Sequence, residues 1–535
     1  MKRLLLVFLL NLFAFKTVAQ REFHVFPKDH ITTPGSEIGD GSLQQPWDLQ
    51  TALKQGPEVV NGGDFIWLHQ GVYTGRYIST IHSSIPDKFI TVSAFQDDEV
   101  VLNGNAASDA QQTLAVKGGQ VIFKNFEITW LGEFTRNKND DHFKKNVAAI
   151  NHLSGKNCKF INLRIHNNPG LGIGSWKSTG GSMIMDCIIY NNGVINEKER
   201  GGGEGIYVQN RSDEERIIKD NIIFANYYKG IEVWSAGRNA KFEYVKNITL
   251  DNNVIFNSGI PSNYRTVDNI IVGTDDRNGI NIAKNITVKN NILYHNTDFK
   301  NNQVNGDAAS LTIGFYHKTP VENVLVHNNV IIGRNNALRI LYAKTLEFMN
   351  NVVYSGYILF NRSAFKYALN GWKIDNNTYY TKKKGAFRVP GEKNYPLNQW
   401  QSMTSTDINS EKYHVSGFNM DPILDITKSE HVPGRFRLVL FDKLGNDVTV
   451  DLSGYGIQTG STYELRDVEN LESLLSKGKL GDDKKIEVPM RTLHASSTKT
   501  LDNFGVFLID FKYEANKEPE ESVSFIQRVW RFFGF

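Results

Sequence analysis

Only two cysteines occur in the 535 residues, Cys158 and Cys187, and they form no Cys-x-x-Cys pair. No histidine pair has zinc spacing either, which argues against a structural zinc site. Charge of one sign is also scarce: 60 Lys and Arg stand against 57 Asp and Glu, a net of +3. No nucleic-acid partner is therefore expected. The apolar run Leu4–Phe15 falls short of the roughly 20 residues a bilayer-spanning helix needs. It follows Lys2 and Arg3 and precedes the small residues Thr17-Val18-Ala19. These marks predict a signal peptide over residues 1–19, with a membrane anchor as the competing reading. No cysteine follows the run, so lipoprotein anchoring is not indicated. The mature chain is expected to start near Gln20, to be exported to the periplasm or beyond, and to carry no transmembrane segment.

What the chain does have is glycine (45 residues), many asparagines and 40% hydrophobic residues. That favours turns and β-structure around a large core. Residues 20–120 begin with an extended piece, then a Gly-, Ser- and Pro-containing loop. A short amphipathic helix is expected over 46–53, then alternating strands in GGDFIWLHQGVYTG and KFITVSAFQDDEVVLNG.

Over 121–390 an Asn-apolar-x-apolar frame recurs. It starts at Asn125, Asn162, Cys187, Asn221, Asn253, Asn291, Asn329, Asn351 and Asn377, at spacings of 37, 25, 34, 32, 38, 38, 22 and 26 residues. Coils of variable length with short Ile/Val strands and Asn turns predict a parallel β-helix, its asparagines stacked in a ladder. Leucine-rich repeats also have an Asn ladder, but their regular period and Leu frame are missing. Cys187 falls in the ladder slot and Cys158 four residues before the slot of its own coil. That offset is about 13 Å along a strand, too far for a disulfide, so two free buried thiols are expected.

These coils resemble the right-handed parallel β-helix repeats of the pectate-lyase-like superfamily, and the segment GSLQQPWDLQTAL with GGDFIWLHQGVYTG resembles the N-terminal cap of its secreted members. The resemblance covers roughly residues 22–390. It implies an all-β fold but no particular reaction, since the superfamily includes lyases, hydrolases, esterases, epimerases, tailspikes and adhesins. Its pectate lyases use acidic residues for calcium and an arginine base; no matching motif occurs here. Residues 391–513 hold a connecting segment and antiparallel strands, similar to β-modules that follow β-helices in secreted carbohydrate-active proteins. Residues 514–535 form a charged linker and an aromatic tail too short to span a membrane.

Each ladder turn leads to a second strand. The expected inward pairs are Leu171/Ile173, Ile206/Val208, Ile231/Val233, Ile280/Ile282, Leu311/Ile313, Leu338/Ile340 and Ile358/Phe360. Extra length then concentrates in 191–204, 257–278 and 295–309, which should wall one side of a groove. The outward columns place Tyr207 beside Glu232, with Asn281 next and Arg339 three coils away. Glu204 and Lys229 precede them on neighbouring coils. Glu232, Tyr207, Lys229 and Glu204 are the candidate catalytic residues. Glu232 or Lys229 as base and Tyr207 as proton donor would serve β-elimination on a uronate. Glu204 and Glu232 would serve hydrolysis. Trp234, Trp176 and Tyr228 are candidate sugar-stacking residues, Gln209 and Asn281 hydrogen-bonding residues, and Arg339 a carboxylate ligand. The plainer readings are aromatic cover for a sheet and an ordinary Glu204–Lys229 ion pair. Asp275-Asp276 offers a possible calcium site; no other cofactor is implied. A polysaccharide-active monomer is expected, a lyase slightly ahead of a glycoside hydrolase, with a non-catalytic glycan-binding or adhesive protein as the alternative.

Overall fold

The computed structural model describes residues 20–136, 147–195, 200–262, 267–298, 308–491 and 500–512. The leader expected over 1–19 and the linker and tail expected over 514–535 lie outside the described residues, as do parts of the three expected insertions. The chain divides into two compact units, Met1–Lys412 and Tyr413–Phe535.

In the first unit, short strands of two to six residues alternate with turns and stack into three sheets of twelve strands. Nearly all pairings are parallel, with residue n of one coil opposite residue n of the next. One inward column runs Leu102, Ile128, Ile165, Ile189, Ile223, Ile255, Leu293, Ile331, Val353 and Tyr379. All are buried. Such short strands bury little surface alone; stacking supplies a continuous core, which is why the β-branched column repeats. The helix expected over 46–53 is present as one turn, Leu49–Ala52, capped by Asp48, whose carboxylate accepts from Thr51 N.

The asparagine ladder runs from Asn221 through Asn253, Asn291, Asn329 and Asn351 to Asn377. Each amide donates to the next at 2.9–3.2 Å. Cys187 precedes them in the same slot, its N–H donating to Asn221 Oδ1 at 3.0 Å. Asn125 and Asn162 are not in the ladder. They stand one residue earlier, at φ 64° and 48°, in a column that continues as Asp186, Asp220, Asn252, Asn290, Asn328, Asn350 and Asn376, all at positive φ. Asparagine and aspartate tolerate that left-handed backbone. Phe126 and Leu163, both buried, fill the ladder slot in those coils. A second buried ladder, Asn168–Asn192–Asn226, was not foreseen; its links measure 2.9 and 3.0 Å.

The first ladder ends on a carboxylate. Asp407 accepts from Tyr379 Oη (2.8 Å), Ser410 Oγ (2.7 Å), Asn377 Nδ2 (3.5 Å) and Trp400 Nε1 (3.3 Å). Burial pushes its pKa up to about 6. Cys158 and Cys187 are both free and buried, as expected.

The second unit holds a five-stranded antiparallel sheet, in the order Ile423–Lys428, Arg435–Phe441, Phe504–Lys512, Thr462–Asp467, Ser476–Lys479, and a separate pair, Val448–Asp451 with Lys485–Val488. They enclose a core around Phe436, Leu438, Val450, Leu465, Ile486 and Phe507.

Candidate active site

The site lies where the turns from one sheet feed the strands Ile206–Val208, Ile231–Ser235, Ile270–Thr274 and Leu311–Ile313 of the next. Glycine opens the first two for a steric reason. A Cβ on Gly205 would sit 2.8 Å from Gly230 O, and one on Gly230 2.6 Å from Asn269 O. The chain must pass close to its neighbour here, and the preceding residue, Glu204 or Lys229, is thereby held at the edge.

Tyr207 and Glu232 are register partners, as expected. The next partner of Glu232 is Ile271, not Asn281. Asn281 sits in the following turn, where its Oδ1 accepts from Tyr244 N at 2.8 Å. The residue expected to point inward beside it, Ile280, is 41% exposed. Ile270 and Val272 fill the core instead, both fully buried. The expected insertion over 257–278 therefore contains a strand of the groove sheet. In the first coil the pairing is also shifted: Ile173 and Ser175 oppose Ile206 and Val208, so Gly174 faces Tyr207. Arg339 is three coils from Glu232, through Ile271 and Thr312, as counted from the sequence.

The corrected register adds a residue. Gly205 N donates to Lys229 O and Gly230 N to Asp268 O, so Glu204, Lys229 and Asp268 form one edge column. Asp268 is buried and accepts from the Thr312 hydroxyl. Its signal was present in Asp268-Asn269-Ile270-Ile271-Val272, which has the polar-small-Ile-x-Val frame of 204–208 and 229–233.

Lys229 is 8% exposed and Glu232 2%. The Lys229 ammonium donates to Glu232 Oε1, three residues on in its own coil, rather than pairing with Glu204 on the neighbouring coil. It also lies 4.6 Å from the Tyr228 ring centroid and 5.4 Å from that of Trp234. Glu204 is half-buried. Burial first, and the charge of Glu232 second, push its carboxyl up to about 7 against the pull of Lys229 and Arg200. The same two causes keep the Tyr207 phenol protonated. Its oxygen accepts from Ala236 N at 3.3 Å.

The sugar-stacking candidates divide. Trp176 is half-buried beside the Tyr207 ring, centroids 5.1 Å apart. Trp234 is buried, edge-on to Phe315 at 4.7 Å. Tyr228 is buried, with the Arg200 guanidinium 4.2 Å from its centroid. Phe315, 42% exposed, offers the open ring that Trp234 does not. Gln209 is buried and donates to Trp234 O at 3.2 Å.

The Asp275–Asp276 pair does not fit a calcium ion. Arg238 and Arg277 already pair with Asp275 at 3.2 and 2.5 Å. Asp276 accepts four backbone N–H groups, from Ala240, Asn278, Ile280 and Asn281. Among the described residues no group of three or more His, Cys, Asp or Glu could hold a metal ion. None of the described helices is long and apolar enough to cross a membrane.

Residues 73–253 match the family described as right handed beta helix region. No curated protein matches the chain. Among solved structures, pectate lyase Pel9A aligns at TM-score 0.41 and 16% identity, over 64% of this chain and 77% of its own. The GH136 lacto-N-biosidase from Eubacterium ramulus aligns at 0.48 and 13%, over 74% and 68%. The A-module of the Azotobacter vinelandii mannuronan C-5 epimerase AlgE6 aligns at 0.40 and 12%, over 73% and 87%. The three parallel sheets run through residues 73–253 and beyond, so these coils form a right-handed parallel β-helix.

Proposed function

We propose that this chain is an exported enzyme that cleaves a glycan at the edge of its second sheet, by hydrolysis. One observation carries the reading: Glu204 and Glu232 sit on adjacent coils, and their surroundings divide their roles. Burial and the Glu232 charge favour a protonated Glu204, while Glu232 is paired with Lys229. A carboxyl that keeps its proton beside one held in an ion pair supplies an acid and a carboxylate. Glu204 donates its proton to the glycosidic oxygen as that bond breaks. Glu232 stabilises the positive charge that develops on the sugar ring, and it or Asp268 directs water or attacks. The leader over 1–19 supports export.

A second reading, β-elimination on a uronate, has one specific support. Tyr207 stays protonated beside Glu232 and is placed to return a proton to the leaving oxygen.

The test is to incubate the mature protein with neutral and uronate-containing polysaccharides and assay the products. New reducing ends without an unsaturated, ultraviolet-absorbing product support hydrolysis. The absorbing product supports elimination. Binding without either product across the panel sinks both in favour of a glycan-binding protein.

A further inference from the structure

A second feature stands on the same edge of the helix. A cavity of about 570 Å³ lies against the turn after strand Glu127–Thr129, lined by Trp130, Glu133, Phe134, Thr135, Arg136 and Asn167 among others. Two coils further along the same sheet, strand Ile188–Tyr190 leads into the turn that carries Glu204. The offset along the axis is about 10 Å, at one strand spacing per coil.

Arg136 lines this cavity, and Arg76 stacks on Trp130, one of the wall residues; neither has a carboxylate partner among the described residues. The Arg136 guanidinium lies 4.8 Å from the Phe134 ring centroid and 5.1 Å from that of Tyr227. It donates to the carbonyl oxygens of Asn191 (2.6 Å) and Gly193 (3.1 Å) and to Asn167 Oδ1 (3.1 Å). Arg76 lies 5.2 Å from the centroid of Trp130 and donates to Ala110 O at 2.8 Å. Its Nε is buried with no acceptor. Neutral carbonyls and ring faces orient these cations but cancel none of their charge. Glu133, the acid among the lining residues, is exposed on the rim. The cavity therefore pairs an aromatic wall with two guanidinium groups, Arg136 in the lining and Arg76 behind Trp130, against the single exposed carboxylate of Glu133, which suits a ring that has an apolar face and an anionic substituent.

We propose that this cavity is a remote subsite that takes an anionic sugar ring, carboxylated or sulfated, of the polymer cleaved at Glu204. The saccharide identity of the ligand rests on the function proposed above; the site and its charge preference rest on Arg76, Arg136, Trp130 and Phe134. A polymer held here runs along the helix axis and presents a bond about two coils away to the acid.

Calorimetric titration tests this on the full chain, in the wild type and in a Glu204→Gln background, where loss of the acid keeps turnover from consuming the probe. The probes are an oligogalacturonate, a sulfated oligosaccharide and a neutral gluco-oligosaccharide of equal length. Either anionic probe should bind more tightly than the neutral one. Arg136→Gln and Arg76→Gln should each weaken anionic binding roughly tenfold, leaving the neutral probe unchanged. Arg76→Gln does not touch the 191–193 carbonyls, so it separates lost charge from a loosened turn. Equal binding of neutral and anionic probes, or indifference to both variants, overturns the subsite. Cleavage of a neutral glycan alongside that result would leave the proposed reaction standing, whereas charge-selective binding without cleavage would leave only the subsite.

Discussion

The Lys229 ammonium rests on Glu232, three residues on in its own coil, while Glu204 on the neighbouring coil keeps a carboxyl raised to about 7. Lys229 thus pairs with Glu232 rather than with Glu204, and burial and the Glu232 charge outweigh the pull of Lys229 and Arg200 and hold the Glu204 proton.

Activity should therefore fall as pH rises through about 7, where Glu204 loses its proton. Glu232→Gln removes one of the two causes of that shift. Residual activity in this variant should show an alkaline limb displaced to lower pH, besides a large loss of turnover. Glu204→Gln should be inactive on the polysaccharide at every pH. A pH–rate profile of the three proteins decides; an unmoved limb in Glu232→Gln would detach Glu232 from Glu204.

Lys229→Met leaves Glu232 buried and unpaired. A cost of about 3–5 kcal/mol is expected for breaking such a pair. The double variant Lys229→Met/Glu232→Leu should recover most of it, because no charge remains to be desolvated. Urea unfolding of both proteins measures this. A destabilisation in the double variant equal to that in the single one would show that the loss comes from packing.

How far the site was legible turns on particular residues. The Tyr207–Glu232 register, with Glu204 and Lys229 on neighbouring coils, was legible because Gly205 and Gly230 mark the close approach of those coils; that Lys229 turns to Glu232 rather than to Glu204 was not. Asp268 was missed because Gly279-Ile280-Asn281-Ile282 imitates a glycine-led strand. In fact Gly279, at φ 75°, belongs to a turn organised by the Asp276 carboxylate. In Asn269 and Ser310 the slot held by glycine in earlier coils is filled by other small polar residues, so a glycine cue fails there. Asn125 and Asn162 misled in another way. Asparagine serves both the left-handed turn and the ladder, and the sequence pattern does not separate a backbone preference from a side-chain one.

Asp407 closes the ladder with donors from four side chains. Asp407→Asn replaces an acceptor with a group that must itself donate, and should cost about 1–3 kcal/mol. The raised pKa adds a pH dependence. A carboxyl held at about 6 in the fold contributes stability that is present below its ordinary value and lost as pH rises through about 6. The stability difference between wild type and Asp407→Asn should shrink over that window. Denaturation at a series of pH values checks it, and a flat difference would remove Asp407 as the titrating group.

Burial pushes both thiols up to about 12. Cys158 and Cys187 should resist a thiol reagent in the native protein and react together once the chain is unfolded. Native-state labelling of either would show that its coil opens.

The central claim is that Glu204 is the acid of a glycan-cleaving site. Its most direct test is the rate of product release from a polysaccharide that the wild type cleaves, compared between wild type and Glu204→Gln, with a substrate whose leaving group needs no protonation as control. The account predicts that Glu204→Gln abolishes release from the polysaccharide and retains it from the activated substrate. Equal loss on both, or none on either, would contradict it.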